Sequence, residues 1–407
     1  MIVIIFYILL GIMVVNFIYF FIIWLVGTLR GVHDKIIDNP HNYRYGVIIC
    51  AHNEAEVIGE LIQSLNVQNY PHDLYRVFVI ADHCDDGTAE IAEANGAQVI
   101  KRDSGERNGK GLVLNYGINQ ILERYDQEID NLCFFDADNI VEPDFLYHMN
   151  QRFNCGADIV MGNRHSKNPY ASMLSTTYSI YWQVMRSIES RPRDNIGLQA
   201  MISGTGFGFK KQVLPPEGWQ TITFTEDVEF YYQQSHLGHR IMVDYDAIFY
   251  DEQPETWDVT IKQLWRWTTG SNHIFRHYFF PYLIDYIKKP TLLVFDMLMT
   301  MLFTETLPLS AIVSIMGICL LASGTLPHGW LVFSLFVLGY LVYYVFGSHA
   351  MKVTDQLDLE KGRKGLMFLP VFVTIIGLLA LFSLFFPSKK WKTIPHKSLN
   401  QKRDIHE

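Results

Sequence analysis

Tyr45-Gly46-Val47-Ile48-Ile49-Cys50 runs into Ala51-His52-Asn53-Glu54, and the apolar residues beyond, Val57, Ile58, Leu61, Ile62 and Leu65, recur at helical spacing. A β-branched run closed by polar residues and followed by an amphipathic stretch reads as strand, loop, helix. The pattern repeats. Arg76 to Ala81 is a second buried strand, ending at Asp82-His83-Cys84-Asp85-Asp86-Gly87-Thr88 before the helix-like Ala89 to Asn95. Gln98 to Lys101 is a third, and a fourth, Leu132 to Phe135, leads into Asp136-Ala137-Asp138. Strands alternating with helices predict a parallel α/β sheet, whose ligands lie beyond the carboxyl ends of its strands. The acids of this chain fall there. A single Asp at such a place more often caps a helix or shapes a turn, so Asp82, Asp85 and Asp86 say little taken singly.

Working outward, the 407 residues are 49% hydrophobic and only 18% charged, too apolar for an ordinary soluble chain of this length. The excess is concentrated. Met1 to Val26 holds no charged residue and exceeds the roughly 20 residues that cross a bilayer core. It lacks the basic start, short apolar centre and small-residue cleavage site of a signal peptide, so an uncleaved anchor is expected. Further apolar stretches lie at about Thr291 to Ser323, Trp330 to Gly347 and Met367 to Pro387. The expected organisation is an N-terminal transmembrane helix over 1–28 and one mixed-polarity domain over 41–289. A C-terminal membrane region of three or four spans over 290–388 and a basic tail over 389–407 follow.

Arg30 and Lys35 after the first span place the domain in the cytosol by the positive-inside rule. Lys352, Lys361, Arg363 and Lys364 mark one later connection as internal, yet the tail from Lys389 to Arg403 is basic too, and one simple span cannot keep both inside. Thr291 to Ser323 is interrupted by Asp296, Glu305 and Pro308, so an interfacial helix before one span is an alternative there. A net charge of −9 excludes a nucleic-acid partner. Cys50, Cys84, Cys133, Cys155 and Cys319 show neither C-x-x-C spacing nor a disulfide framework, which fits small apolar residues in a reducing setting.

Three motifs carry chemistry. Asp136-Ala137-Asp138 offers hard oxygen ligands for Mg²⁺ or Mn²⁺ at a strand end. Thr225-Glu226-Asp227 supplies a carboxylate that can take a proton from an attacking hydroxyl. In Gln263-Leu264-Trp265-Arg266-Trp267, Gln263 and Arg266 share a helix face, Arg pairs with diphosphate oxygens and Trp gives a flat face for a sugar ring. The bland readings are a solvated acid pair, an ordinary helix start and an amphipathic helix with Trp at a membrane surface.

The order of these features is specific: strand-end acids, D-x-D, Ser203-Gly204-Thr205-Gly206, T-E-D, Q-x-x-R-W and then apolar spans. Over Tyr45 to Gly270 and the flanking spans the chain resembles the processive branch of glycosyltransferase family 2, which makes cellulose, hyaluronan and poly-N-acetylglucosamine. The resemblance implies an α/β GT-A, Rossmann-like glycosyltransferase domain beside transmembrane helices. It implies an inverting, metal-dependent transfer from a UDP-sugar to a growing β-linked glycan, exported through the membrane region. It would have Ala51, Asn53 and Glu54 in the first nucleotide loop, Asp82 on the base, Lys110 beside the donor phosphates, Asp136 near the ribose or sugar and Asp138 on the metal. Asp227 would be the base and Glu226 its neighbour. Gln263, Arg266 and Trp267 would hold the diphosphate and the acceptor end, with Gly204 and Thr205 in the acceptor loop. The expected partners are the UDP-sugar, the glycan, the lipid bilayer of a plasma membrane crossed several times, and small membrane or export subunits. The alternative is a non-processive transferase adding one sugar to a lipid acceptor. A hydrophilic polymer cannot cross hydrocarbon unaided, which is why synthesis and membrane passage belong together.

Overall fold

The computed structural model describes residues 1–31, 37–325, 329–354 and 356–388; Lys35 and the basic tail from 389 lie outside them. The chain begins with helix α1 (Ile2–Arg30) and then enters the sheet. Strands β1 (Tyr45–Ala51), β2 (Tyr75–Asp82) and β4 (Asn131–Asp136) are mostly buried, as the sequence pattern requires of a sheet covered on both faces, while β3 (Gln98–Arg102), at the edge, is buried only at Arg102. They pair in parallel in the order β3-β2-β1-β4, with α2 (Ile58–Asn66), α3 (Thr88–Ala94) and α4 (Lys110–Tyr125) as connections.

Beyond β4 the sheet is no longer parallel throughout. The full order is β3-β2-β1-β4-β7-β6-β8-β5, from β5 (Ile140–Val141), β6 (Ile159–Ser166), β7 (Phe207–Lys210) and β8 (Ile241–Asp251). β7 is antiparallel to both β4 and β6, and β5 is antiparallel to β8, whereas β6 and β8 run parallel. The reason is direction of entry: β7 starts out of the Ser203–Gly206 loop, at the edge where β4 ends, so it must run back against β4. It fits because Gly208 has no Cβ, which would come 2.9 Å from the Leu132 carbonyl oxygen. Phe207, Phe209, Trp219 and Phe230 fill the core below, the last two stacked at 4.3 Å between ring centroids.

The remaining elements are helices: α5 (Phe145–Asn154), α6 (Met173–Val184), α7 (Arg191–Asn195), α8 (Glu226–Leu237), α9 (Trp257–Lys288), α10 (Leu292–Ala322), α11 (Gly329–Thr354) and α12 (Leu359–Phe385). The chain divides into a sheet unit, His33–Lys167 with Gln199–Glu252, and a helical unit, Met1–Val32 with Asn168–Leu198 and Gln253–Lys389. Asn168–Leu198, carrying α6, a π-helical turn over Met185–Ser190 and α7, interrupts the sheet between β6 and β7 yet belongs to the helical unit.

Among the described residues, α1, α10 and α12 are long and apolar enough to cross a membrane. Most of the large apolar side chains of α1 face outward, Ile4 and Val15 each at 64%, an arrangement that water would oppose and lipid would not. Within this unit Asp296 of α10, 1% exposed, accepts from Tyr19 Oη of α1 at 2.8 Å and faces Arg193 Nε of α7 at 3.3 Å. The Arg193 guanidinium lies 4.6 Å from the centroid of the Phe20 ring. A charge enclosed so completely is stable only while paired. Asp296→Ala is therefore expected to cost roughly 3–5 kcal/mol, while Arg193→Met combined with Asp296→Leu regains most of it. Thermal unfolding of the detergent-solubilised variants measures both.

Candidate functional site

The loops that leave β1 and β2 are clasped together. Asn53 and His83 both take left-handed backbone angles, φ 56° and 50°, unusual for residues other than glycine. Asn53 Nδ2 donates to Asp85 Oδ1 at 2.5 Å, and Asp85 N–H donates back to Asn53 Oδ1 at 3.0 Å. His52 Nδ1 sits 2.7 Å from the carbonyl oxygen of Asp82. Asp86 lies just before α3 and accepts from the Thr88 hydroxyl and N–H and from Ala55 N–H. Burial works against its charge, but those donors hold the Asp86 carboxyl below its ordinary range. Ala51 and Glu54 flank the same loop, with Glu54 N–H donating to Thr88 Oγ1 at 2.8 Å.

Asp82, the last residue of β2, is nearly buried and surrounded by base: Arg102 Nη1 at 2.5 Å, His83 Nδ1 at 2.9 Å and Arg107 Nε at 3.6 Å. Arg102 closes β3, one strand over, so the pairing is a product of register.

The second acidic group lies at the end of β4. Asp136 is the open one, its side chain 41% exposed, while Asp138 is 4% exposed. Lys110, at the start of α4, donates from Nζ to Asp136 Oδ1 at 2.5 Å and to the Gly204 carbonyl at 2.7 Å. Desolvation would lower the Lys110 pKa, but the charges of Asp136 and Glu226 outweigh it and hold the ammonium above its usual range. Thr205 is fully buried, its hydroxyl engaged by Asp136 N–H and Asn139. Glu226 and Asp227 form the first turn of α8. Desolvation raises the Asp227 carboxyl above its ordinary value against the pull of Val228 N–H, Lys110 and Arg164. A Cβ built on Gly204 would lie 3.4 Å from Asp227 Oδ2, so a side chain there would crowd the acid. Burial pushes the Cys50 thiol up to about 12, which leaves it un-ionised beside these groups, and all five cysteines are free.

The sheet unit thus gathers Asp82, Lys110, Asp136, Asp138, Gly204, Thr205, Glu226 and Asp227. Gln263, Arg266 and Trp267 lie on α9 of the helical unit. There Trp267 packs on Trp182 at 5.6 Å and on Tyr178 at 6.2 Å between centroids, and Trp182 Nε1 donates to Gln253 Oε1 at 3.2 Å. Gln263 Oε1 and Arg266 Nε are buried without a hydrogen-bond partner among the described residues. Sequence reasoning passed over Arg102, Asn139, Arg164 and Asp251. Arg102 and Asp251 each close a strand, which is the signal that could have found them.

With this geometry in hand, comparison with known proteins gives the class. The family described as Glycosyltransferase like family 2 matches residues 41–270, over half of the chain, and the chain belongs to it. A probable glycosyltransferase, YdaM, from Bacillus subtilis is 26% identical over 243 residues, 57% of this chain and 56% of that one. The poly-beta-1,6-N-acetyl-D-glucosamine synthase of Staphylococcus aureus is 28% identical over 287 residues, 65% of this chain and 67% of that one. The chain therefore spans about half to two thirds of the length of these relatives. Among solved structures, a mannosyltransferase from Pyrobaculum calidifontis, in complex with GDP-Man and Mn²⁺, superposes with a TM-score of 0.63 at 14% identity, covering 93% of this chain and 98% of that one. The fold is GT-A, and the sheet unit is a glycosyltransferase domain.

The residues at the end of β4 fit a divalent ion: two carboxylates two positions apart, one open and one enclosed, in a cluster with more acid than base. His148, Asp244 and Asp246 also bring ligand atoms within 4.8 Å of one another. That group sits near the start of β8, and Asp244 already accepts from Asp246 and Ala247 N–H and pairs with Arg152. With the Lys110 ammonium removed from beside these acids, Lys110→Met should bind Mn²⁺ alone several-fold more tightly. The same variant should bind a nucleoside diphosphate about tenfold more weakly, since a charge-assisted contact is worth roughly 1.5–3 kcal/mol. Calorimetric titration with each ligand separately reads both.

Proposed function

We propose that this protein is an inverting glycosyltransferase that extends a β-linked exopolysaccharide from a UDP-sugar and passes it across a plasma membrane. In this reading the catalytic unit is cytosolic and the chain crosses the bilayer several times. One observation carries it: Asp227, desolvated at the start of α8, is joined to the D-x-D end of β4 through Gly204 and Lys110. A base and a donor site held by one loop is what displacement of a diphosphate by a sugar hydroxyl requires. The Staphylococcus relative's name supports a polymer as product, and the apolar helices support a membrane setting.

Asp138 would hold Mg²⁺ or Mn²⁺, which when bound offsets the charge developing on the departing diphosphate, and Asp136 is assigned to the donor ribose or sugar beside it. Asp227 accepts the proton of the attacking acceptor hydroxyl on its carboxylate. Its raised pKa makes that carboxylate a stronger base than an ordinary aspartate. Glu226 lends negative charge beside it. Lys110 and Arg266 are assigned to the diphosphate, the loop residues Ala51, Asn53 and Glu54 with Asp82 to the uracil nucleotide, and Gln263 and Trp267 to the acceptor. Small membrane or export subunits would complete the system.

The carboxylate must be ionised to take the proton, so transfer should be lost as pH falls through the raised Asp227 pKa and regained as pH rises. Asp227→Asn should remove that dependence together with roughly 10²–10⁴-fold of the rate, leaving UDP binding intact. Normal synthesis by this variant would refute the assignment of the base. Asp138→Ala should abolish metal-dependent transfer, and Trp267→Ala should weaken acceptor retention more than UDP binding. Purified protein in nanodiscs is to be given radiolabelled UDP-N-acetylglucosamine, UDP-glucose or UDP-glucuronate with Mg²⁺ or Mn²⁺, and the products sized. Long chains are expected; single sugars on lipid would turn the reading to a lipid transferase.

A further inference from the structure

Between the D-x-D acids and Asp227 runs a chain of enclosed polar groups that the proposed chemistry does not use directly. Asp136 N–H donates to Thr205 Oγ1 at 2.9 Å and to Asn139 Oδ1 at 3.1 Å, and the Thr205 hydroxyl donates to the same Asn139 oxygen. Thr205 and Asn139 are both fully buried. Asn139 Nδ2 donates to Asp251 Oδ1 at 3.0 Å, at the end of β8, and Asp251 Oδ2 lies 3.4 Å from Arg164 Nη1 on β6. A carboxylate only accepts, so Asp251 fixes which way the Asn139 amide faces, and the amide in turn fixes the hydroxyl rotor of Thr205.

The loop is also tied on its other sides. Gly206 N–H donates to the Phe134 carbonyl at 2.7 Å, and the Gly206 carbonyl accepts from Gly162 N–H at 2.8 Å. Gly206 takes φ 68°, with no room for a Cβ against the Phe249 ring. Its neighbour Gly204 presents its carbonyl to Lys110 and its Cα to Asp227. The Ser203–Gly206 loop is thus bonded to Asp136 through Thr205 and borders Asp227 at Gly204.

We propose that Asn139 and Thr205 are positioning residues of the transfer reaction: they set the placement of the D-x-D acids relative to the base by clamping the Ser203–Gly206 loop to the end of β4. This rests on the reading of the site given above, and it adds two groups that are themselves fully buried. Groups of this kind act on rate, because displacing a reacting group by about 1 Å can cost on the order of 10²-fold.

Three variants separate positioning from mere stability. Thr205→Val keeps the shape and removes the hydroxyl; Thr205→Ser restores it. Thr205→Val should lower kcat for sugar transfer at least about tenfold with the Kd for UDP changed less than about threefold, and Thr205→Ser should return kcat close to the parent. Asn139→Asp, though isosteric, sets two carboxylates against each other and should be as damaging, whereas combining it with Asp251→Asn exchanges donor and acceptor and should recover most of kcat. A second readout needs no turnover. In the parent, UDP with Mn²⁺ should slow amide hydrogen exchange in the peptide covering residues 203–206, and Thr205→Val should abolish that response while Thr205→Ser keeps it. Parent-like kcat in Thr205→Val, equal loss of kcat and UDP affinity, or no slowing of 203–206 in the parent would each overturn the proposal. A parent that transfers no sugar yet shows the exchange response would sink the proposed function and leave the clamp standing.

Discussion

The Lys110 ammonium ties the D-x-D end of β4 to the Ser203–Gly206 loop. The charges of Asp136, where β4 ends, and Glu226, where α8 begins, both bear on it and outweigh the cost of its burial. Lys110 presents that ammonium from the first position of α4, and its second hydrogen bond, to the Gly204 carbonyl, ties the balance of charge to the shape of the loop. The same side chain therefore serves folding and the site. It balances the charges of Asp136 and Glu226, and in the proposed reading it is also the cation that would meet a diphosphate.

The parallel half of the fold was legible because short continuous apolar runs and strand-end polarity are local signals. YGVIIC, RVFVIA and LCFF fell on strands to within a residue or two, and the acids after them fell at the carboxyl ends of those strands. The antiparallel half was not legible, since the direction of β7 depends on where its preceding loop sits, a fact of the tertiary fold. Phe207–Lys210, with glycine in the middle, carries little strand signal of its own. The motifs pointed to residue types, but the partners of those residues came from register. Nothing near Asp82 in sequence announces Arg102, and nothing near Asp136 announces Asp251. Thr205, read as part of an acceptor loop, lies inside a buried network, which composition cannot reveal.

The helical unit follows a different logic. Its apolar helices were evident from charge-free length, but the burial of Asp296 against Tyr19 and Arg193 depends on three segments far apart in sequence. The acidic interruption at Asp296, which suggests a broken or interfacial helix, is here absorbed by a paired charge on α7. Asp296 is thus compatible with one continuous helix over Leu292–Ala322.

The insertion of Asn168–Leu198 between β6 and β7 makes the two units interleaved in the covalent chain. Trimming either terminus cannot release a water-soluble catalytic fragment. Any piece that retains both β6 and β7 also carries α6 and α7, whose Tyr178, Ile180 and Arg193 would be stripped of the helices that bury them. Isolation of the sheet unit would call for an internal replacement of that segment by a short polar linker. By the same connectivity, a gene fusion or natural recombination that exchanged catalytic units between relatives by a single crossover at either end of the sheet would carry part of the helical unit with it.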